Sequence, residues 1–203
     1  MFSSLEKRVR AALCVVLAVF GCAAGVGQGV AAAGEGDLLF VLPHVQNAIT
    51  AATGEADHVA IAHRIGGSGG LLYVIEAVRR GVCLTPIDSF LVRNAQAHLV
   101  VRAVPGLDVS RSVRSALQCV GRPYDWNYTP GDSALYCSEL VQRCYVDTAG
   151  NAVFHLVPMS FSDPDGNILP QWRDHYARQG LAVPEGAPGS NPTQLLHQLA
   201  RPE

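Results

Sequence analysis

Two apolar runs of eight residues, Asp57 to Arg64 (DHVAIAHR) and Leu71 to Val78 (LLYVIEAV), flank the glycine-rich stretch Ile65 to Gly70 (IGGSGG). Both runs have strand length and strand composition, and a short glycine-rich link between two strands reads as an antiparallel hairpin. The first run alternates. His58, Ala60 and Ala62 fall on one face, and Val59, Ile61 and His63 on the other. The glycines do not form a phosphate loop, because the Gly-Lys-Ser/Thr ending is missing and strand–loop–strand is the wrong setting for one.

Further elements read off around this hairpin. Asp37 to Leu42 (DLLFVL) and His98 to Val104 (HLVVRAV) are strands, and Val153 to Pro158 is a further one. Val45 to Thr53 and Thr85 to Leu91 are short helices, the second capped by Thr85 with Pro86 at its first position. Val109 to Val120 has helical periodicity, and Gly121 to Asp132 (GRPYDWNYTPGD) is an aromatic-rich loop. Leu135 to Tyr145 (LYCSELVQRCY) is a helix, Pro184 to Pro192 a Pro/Gly-rich loop, and Thr193 to Leu199 a closing helix. Helices and strands mix without regular alternation, so the expected class is α+β with a mostly antiparallel sheet. At 203 residues, with 49% hydrophobic and 16% charged residues, the chain suffices for one globular domain.

The first 33 residues read as an export signal. Lys7, Arg8 and Arg10 precede an uncharged apolar run from Ala11 to Gly27, and Ala31, Ala32 and Ala33 offer small residues for cleavage. Two alternatives stay open: a retained membrane anchor, and a lipoprotein signal ending before Cys22. Without residues 1–33, 12 basic residues face 16 acidic ones and no lysine remains. Such a domain, residues 34–203, has neither a nucleic-acid footprint nor a polybasic membrane patch. Membrane association is expected only through an N-terminal anchor, and the location is the periplasm or cell envelope.

Four cysteines lie beyond the leader: Cys83, Cys119, Cys137 and Cys144. On a helix, Cys137 and Cys144 are roughly 10 Å apart along the axis, beyond the ~7 Å Cα reach of a disulfide. Cys83 with Cys119 remains open. Cys137, Leu140, Val141, Cys144 and Tyr145 share one apolar stripe, so both helix cysteines can be plain core residues. Cys137 differs in position. In a first helical turn it meets unsatisfied N–H groups and the positive end of the dipole, which favour a thiolate and can hold an oxyanion. Cys144 lies two turns deeper and reads as core.

A cysteine nucleophile needs a base, and the base an orienting group. His58 stands at a strand start on the face of Ala60 and Ala62, where small side chains leave room for a helix. Glu76 is the one carboxylate in an otherwise apolar strand, and buried glutamates need partners. In a hairpin, His58 and Glu76 can be near or diagonal neighbours on one face. An ion pair of Glu76 with Arg79 or Arg102 is the plainer reading, and His58 can be an ordinary strand-end histidine. Zinc fits poorly, for there is neither C-x-x-C nor H-x-x-x-H, and no cofactor is expected. Asp163 to Asn167 (DPDGN) suits a turn better than a calcium loop.

Taken together, GDLLFV at Gly36, DHVAIAH around His58, YVIEAVRRGV around Glu76, GRPYDWNY at Gly121, YCSELV around Cys137 and the tail VPEGAPGSNP have a familiar order. This set resembles the permuted papain-like amidases of the NlpC superfamily, in the YiiX/YaeF-like branch, from Gly36 to the C-terminus. The resemblance implies a circularly permuted papain-like fold with the sheet packed against the helix carrying the nucleophile. It implies Cys137 as nucleophile, His58 as base and Glu76 as orienting acid, with Tyr124, Tyr128 and Tyr136 lining the oxyanion and substrate site. The expected activity is amide hydrolysis in peptides or cell-wall peptides. The alternatives are a lipid esterase or acyltransferase acting on acyl lipids, and a non-catalytic envelope binding domain.

Overall fold

The computed structural model describes residues 29–129, 131 and 133–200. The export signal assigned to residues 1–33 thus lies almost wholly outside the described residues. From Ala33 onward the chain is one unit. Among the described residues, no helix is long and apolar enough to cross a membrane.

Five strands form the central sheet: β1 (Leu38–Pro43), β2 (His58–Ile65), β3 (Leu71–Val78), β4 (Gly81–Pro86) and β5 (Ala97–Arg102). Their order is β4-β3-β2-β1-β5, and every pairing is antiparallel. The helices are α1 (Thr50–Thr53), α2 (Ile87–Arg93), α3 (Val109–Gln118), α4 (Cys137–Cys144), α5 (Pro170–Ala177) and α6 (Pro192–Ala200). Two-residue strands β6 (Val157–Pro158) and β7 (Pro188–Gly189) pair separately.

The hairpin of β2 and β3 is as the sequence predicts, with Ile61 opposite Ile75 and Ile65 opposite Leu71. Alternation sorts its side chains. Val59, Ile61, Ile75, Ala77 and Val82 join Leu38 and Phe40 in the main core, against Leu140, Val141 and Cys144 of α4 and Ala116 of α3. The helix carrying Cys137 therefore packs on the Val59/Ile61 face, not on the Ala60/Ala62 face that small side chains suggest. Large β-branched residues fill that interface and bury more apolar area than alanines can. At the far end of α4, the buried Tyr145 hydroxyl donates to the Gly36 carbonyl at 2.8 Å. Gly36 itself sits at φ 80°, a conformation that favours glycine.

Four segments differ from the sequence reading. Gly81–Pro86 is a strand rather than the approach to a helix, because Val82 and Leu84 alternate with Cys83 and Thr85 and complete the sheet edge. Thr85 consequently caps nothing: the α2 cap is Pro86, without a side-chain bond, and the Thr85 hydroxyl accepts from Arg80 Nη2 at 3.4 Å. The segments Val45–Thr53 and Val153–Pro158 are regular only over α1 and β6. Helix α5 has no counterpart in the sequence reading. Its apolar residues Trp172 and Tyr176 lie on one face, but charged and polar residues dominate its short length.

Candidate active site

Helix α4 begins at Cys137. The preceding Tyr136 is extended (φ −93°, ψ 170°) and offers no side-chain cap. Cys137 is therefore the first helical residue, where backbone N–H groups lack intrahelical acceptors. Glu139 stands at the third position, where an acidic side chain favours a helix start. Burial and the neighbouring Asp125 charge push the Glu139 carboxyl up to about 7.

His58 is the first residue of β2, and the β2–β3 ladder ends before reaching it. His58 Nε2 and Glu76 Oε2 are 2.8 Å apart. The bond to Glu76 leaves Nδ1 as the ring nitrogen not held by the carboxylate. Phe90 of α2 lies 6.4 Å from the imidazole, centroid to centroid. Burial alone would lower the His58 pKa, but the adjacent Cys137 and Glu76 outweigh it and push it up to about 10. The Cys137 side chain thus lies close enough to His58 to act on its charge.

Glu76 is wholly buried, which by itself favours the neutral acid. His58, Thr85 and Arg93 oppose this and hold the carboxyl at about 2. Arg93 of α2 donates from Nη2 to Glu76 Oε1 at 2.8 Å and Oε2 at 2.6 Å. The structure therefore joins both readings of Glu76: it holds His58, and it pairs with an arginine. That arginine is Arg93, rather than Arg79 or Arg102. The sequence signal for it was available only through α2, whose last turn turns back over β3.

The three predicted tyrosines gather beside Cys137. They line a cleft together with Met159, Phe161 and Trp172, and among its described lining residues Asp57 alone carries a charge. Burial and the nearby Cys137 charge raise the Tyr124 hydroxyl, and burial pushes Tyr128 up to about 12. The Tyr136 ring faces the cleft, but its hydroxyl accepts from Ser190 N at 3.2 Å and donates to Met159 Sδ at 3.8 Å. It is therefore a wall residue.

Asp125 organises this loop and was not among the predicted site residues. Its carboxylate accepts from Asn127 N at 2.8 Å and Thr129 N at 2.7 Å. Between them Tyr128 takes φ 50°, a left-handed conformation costly for a bulky residue. Helix α5 clamps the loop from outside: the Tyr176 hydroxyl donates to Asn127 O at 2.7 Å, and His175 Nε2 to Trp126 O at 2.8 Å. The pattern D-W-N before an aromatic was the available signal, since an aspartate that bonds the backbone two residues on is a common turn device.

The remaining cysteines separate clearly. Cys144 is buried in the core, with Cys119 as its neighbour at an Sγ–Sγ distance of 4.0 Å. Cys119 beside it and burial push the Cys144 thiol up. Cys83 lies instead beside Arg80 and Thr85, so Cys83 and Cys119 do not meet. All four thiols are free. Asp163 to Asn167 is a turn, its Asp163 carboxylate accepting from the Asp165 and Asn167 amides.

Comparison with known proteins gives one curated relative, one solved structure and one family model. The uncharacterized protein YiiX of Escherichia coli K12 is 34% identical over 85 residues, 40% of this chain and 42% of that protein. The chain thus matches under half the length of that relative. The crystal structure titled metalloprotein yiiX from Escherichia coli O157:H7 superposes with a TM-score of 0.67 at 24% identity, over 81% of this chain and 92% of that one. Among the described residues of this chain, no group of three or more His, Cys, Asp or Glu is placed to hold a metal ion. The model of the permuted papain-like amidase enzymes, YaeF/YiiX, C92 family, matches residues 32–200. With nearly the whole described chain matched, the protein belongs to the permuted papain-like amidase family, in its YaeF/YiiX branch.

Proposed function

We propose that the protein is an exported thiol hydrolase in which Cys137 attacks an acyl carbonyl, His58 is the base and Glu76 orients it. The observation that carries this reading is His58 itself, held by Glu76 on one side and adjacent to Cys137 on the other. His58 accepts the Cys137 proton, giving an imidazolium that Glu76 stabilises. The thiolate adds to the carbonyl carbon, and the first-turn N–H of Cys137 donates to the oxyanion. His58 then passes its proton to the leaving amine or alcohol as the tetrahedral intermediate collapses to a thioester. It next takes a proton from water, and hydroxide addition releases the acid and the thiol.

Family membership favours amide bonds in peptides or cell-wall peptides as the substrate. A second reading rests on the cleft. Its lining of Tyr124, Tyr128, Met159, Phe161 and Trp172 suits an apolar acyl chain better than a charged peptide. That feature favours acyl esters or acyl lipids, handled by the same nucleophile. The apolar run after Lys7, Arg8 and Arg10 supports export to the cell envelope.

A paired substrate panel tests both readings. Cell-wall peptides and p-nitrophenyl esters of two to twelve carbons are offered to the wild type and to Cys137→Ser. The variant is expected to lose turnover by roughly a thousandfold or more on whichever class the wild type cleaves. Unchanged turnover in Cys137→Ser would contradict the assignment of the nucleophile.

A further inference from the structure

Glu76 is a fully buried carboxylate in the middle of an apolar strand. Several groups face it: His58 from β2, Thr85 from β4, Arg93 from α2 and, farther off, Arg80 from the turn between β3 and β4. Cys83 is its register partner on β4. His58 engages only Oε2. Arg93 engages both oxygens. A carboxylate held by one oxygen alone can swing about its terminal torsion, which is broad and soft. The guanidinium removes that freedom.

The reaction cycle gives Arg93 a second task. While His58 is an imidazolium, Glu76 has a cation beside it. When His58 gives up its proton to the leaving group, that cation disappears and the buried carboxylate would tend to take a proton. Arginine stays charged throughout. Its side chain is 42% exposed, so its own charge is largely hydrated while its partner's is not.

We propose that Arg93 is a positioning residue for the thiol centre, keeping Glu76 ionised and oriented so that the carboxylate presents His58 Nδ1 to Cys137 throughout the cycle. This inference rests on the reading of Cys137 and His58 as nucleophile and base.

The test uses the full chain and needs no substrate. Iodoacetamide alkylation of Cys137 is followed from pH 4 to pH 9 by peptide mass spectrometry, with a thermal melt alongside. Arg93→Met is expected to move the acid limb of alkylation upward by about one pH unit, a roughly tenfold loss of rate on that limb. Arg93→Lys keeps the charge without the rigid planar guanidinium and is expected to fall between that variant and the wild type. Should Arg93→Met not fold, Arg93→Gln takes its place. An unmoved acid limb with only a lower melting temperature would overturn the proposal and make Arg93 a structural ion pair. A wild-type Cys137 that resists alkylation below pH 7 would overturn the underlying hydrolase reading as well, which separates the two failures.

Discussion

His58 Nε2 and Glu76 Oε2 lie 2.8 Å apart where the β2–β3 ladder has ended, and the carboxylate there is fully buried. The replacement Glu76→Gln keeps the shape and removes the charge. It is expected to lower kcat about 10²- to 10⁴-fold, the range lost when an oriented acid–base pair is broken. Steady-state kinetics with a circular dichroism spectrum checks this: a folded variant with wild-type kcat would contradict the orienting role.

The same pair predicts how stability varies with pH. Glu76 is held at about 2 in the folded protein, below its ordinary 4.5, so its contribution is present above pH 4.5 and lost as pH falls toward 2. His58 is raised from 6.5 to about 10, so its contribution is complete below pH 6.5 and lost as pH rises toward 10. Melting temperatures should therefore fall on both sides of a plateau between about pH 4.5 and 6.5. Glu76→Gln should remove its share of the acid-side fall. A wild-type curve that is flat from pH 7 to 10 would contradict the assigned state of His58.

Asp125 holds the aromatic loop by two short bonds from Asn127 N and Thr129 N. Asp125→Ala leaves those amides without their acceptor and should cost roughly 2–3 kcal/mol, given what charged hydrogen bonds contribute. Because Tyr128 sits at φ 50° only while the loop is held, its place in the cleft should loosen too. Chemical denaturation measures the first effect. A loss below half a kilocalorie would show that α5 alone fixes the loop.

Trp172 forms one wall of the cleft, its ring 5.4 Å from those of Phe161 and Tyr128, and its Nε1 donates to Ala48 O at 3.2 Å. Trp172→Ala should raise KM for long-chain acyl substrates by about 10- to 100-fold, as expected from lost apolar contact. It should leave acetyl substrates nearly unchanged. Equal losses for both would argue that the cleft does not bind the acyl chain.

Much of this was legible in the sequence, for reasons tied to particular residues. The hairpin announced itself through alternation in DHVAIAHR and the apolar run of LLYVIEAV, and Glu76 stood out because a lone carboxylate in such a run demands a partner. Cys137 and Cys144 could be told apart by depth in one helix. What the sequence could not place was tertiary: Arg93 is distant in register from Glu76 until α2 folds over β3, and Asp125 gains its meaning only from a turn that puts Tyr128 at positive φ. The expected packing of α4 on the alanine face failed because a core selects for buried area, and Val59 and Ile61 offer more of it. Thr85 looked like a cap beside Pro86, yet sheet pairing claimed it first.

We propose Cys137 as the activated thiol among the four in the domain, made so by His58. Brief treatment with iodoacetamide at pH 6, followed by peptide mass spectrometry of all four cysteines, measures this directly. The expected result is near-complete labelling of Cys137, which lines the cleft, while Cys83, Cys119 and Cys144, which do not, remain unmodified, with the selectivity lost in His58→Ala. Labelling of Cys137 no faster than of Cys83, or unchanged in His58→Ala, would contradict it.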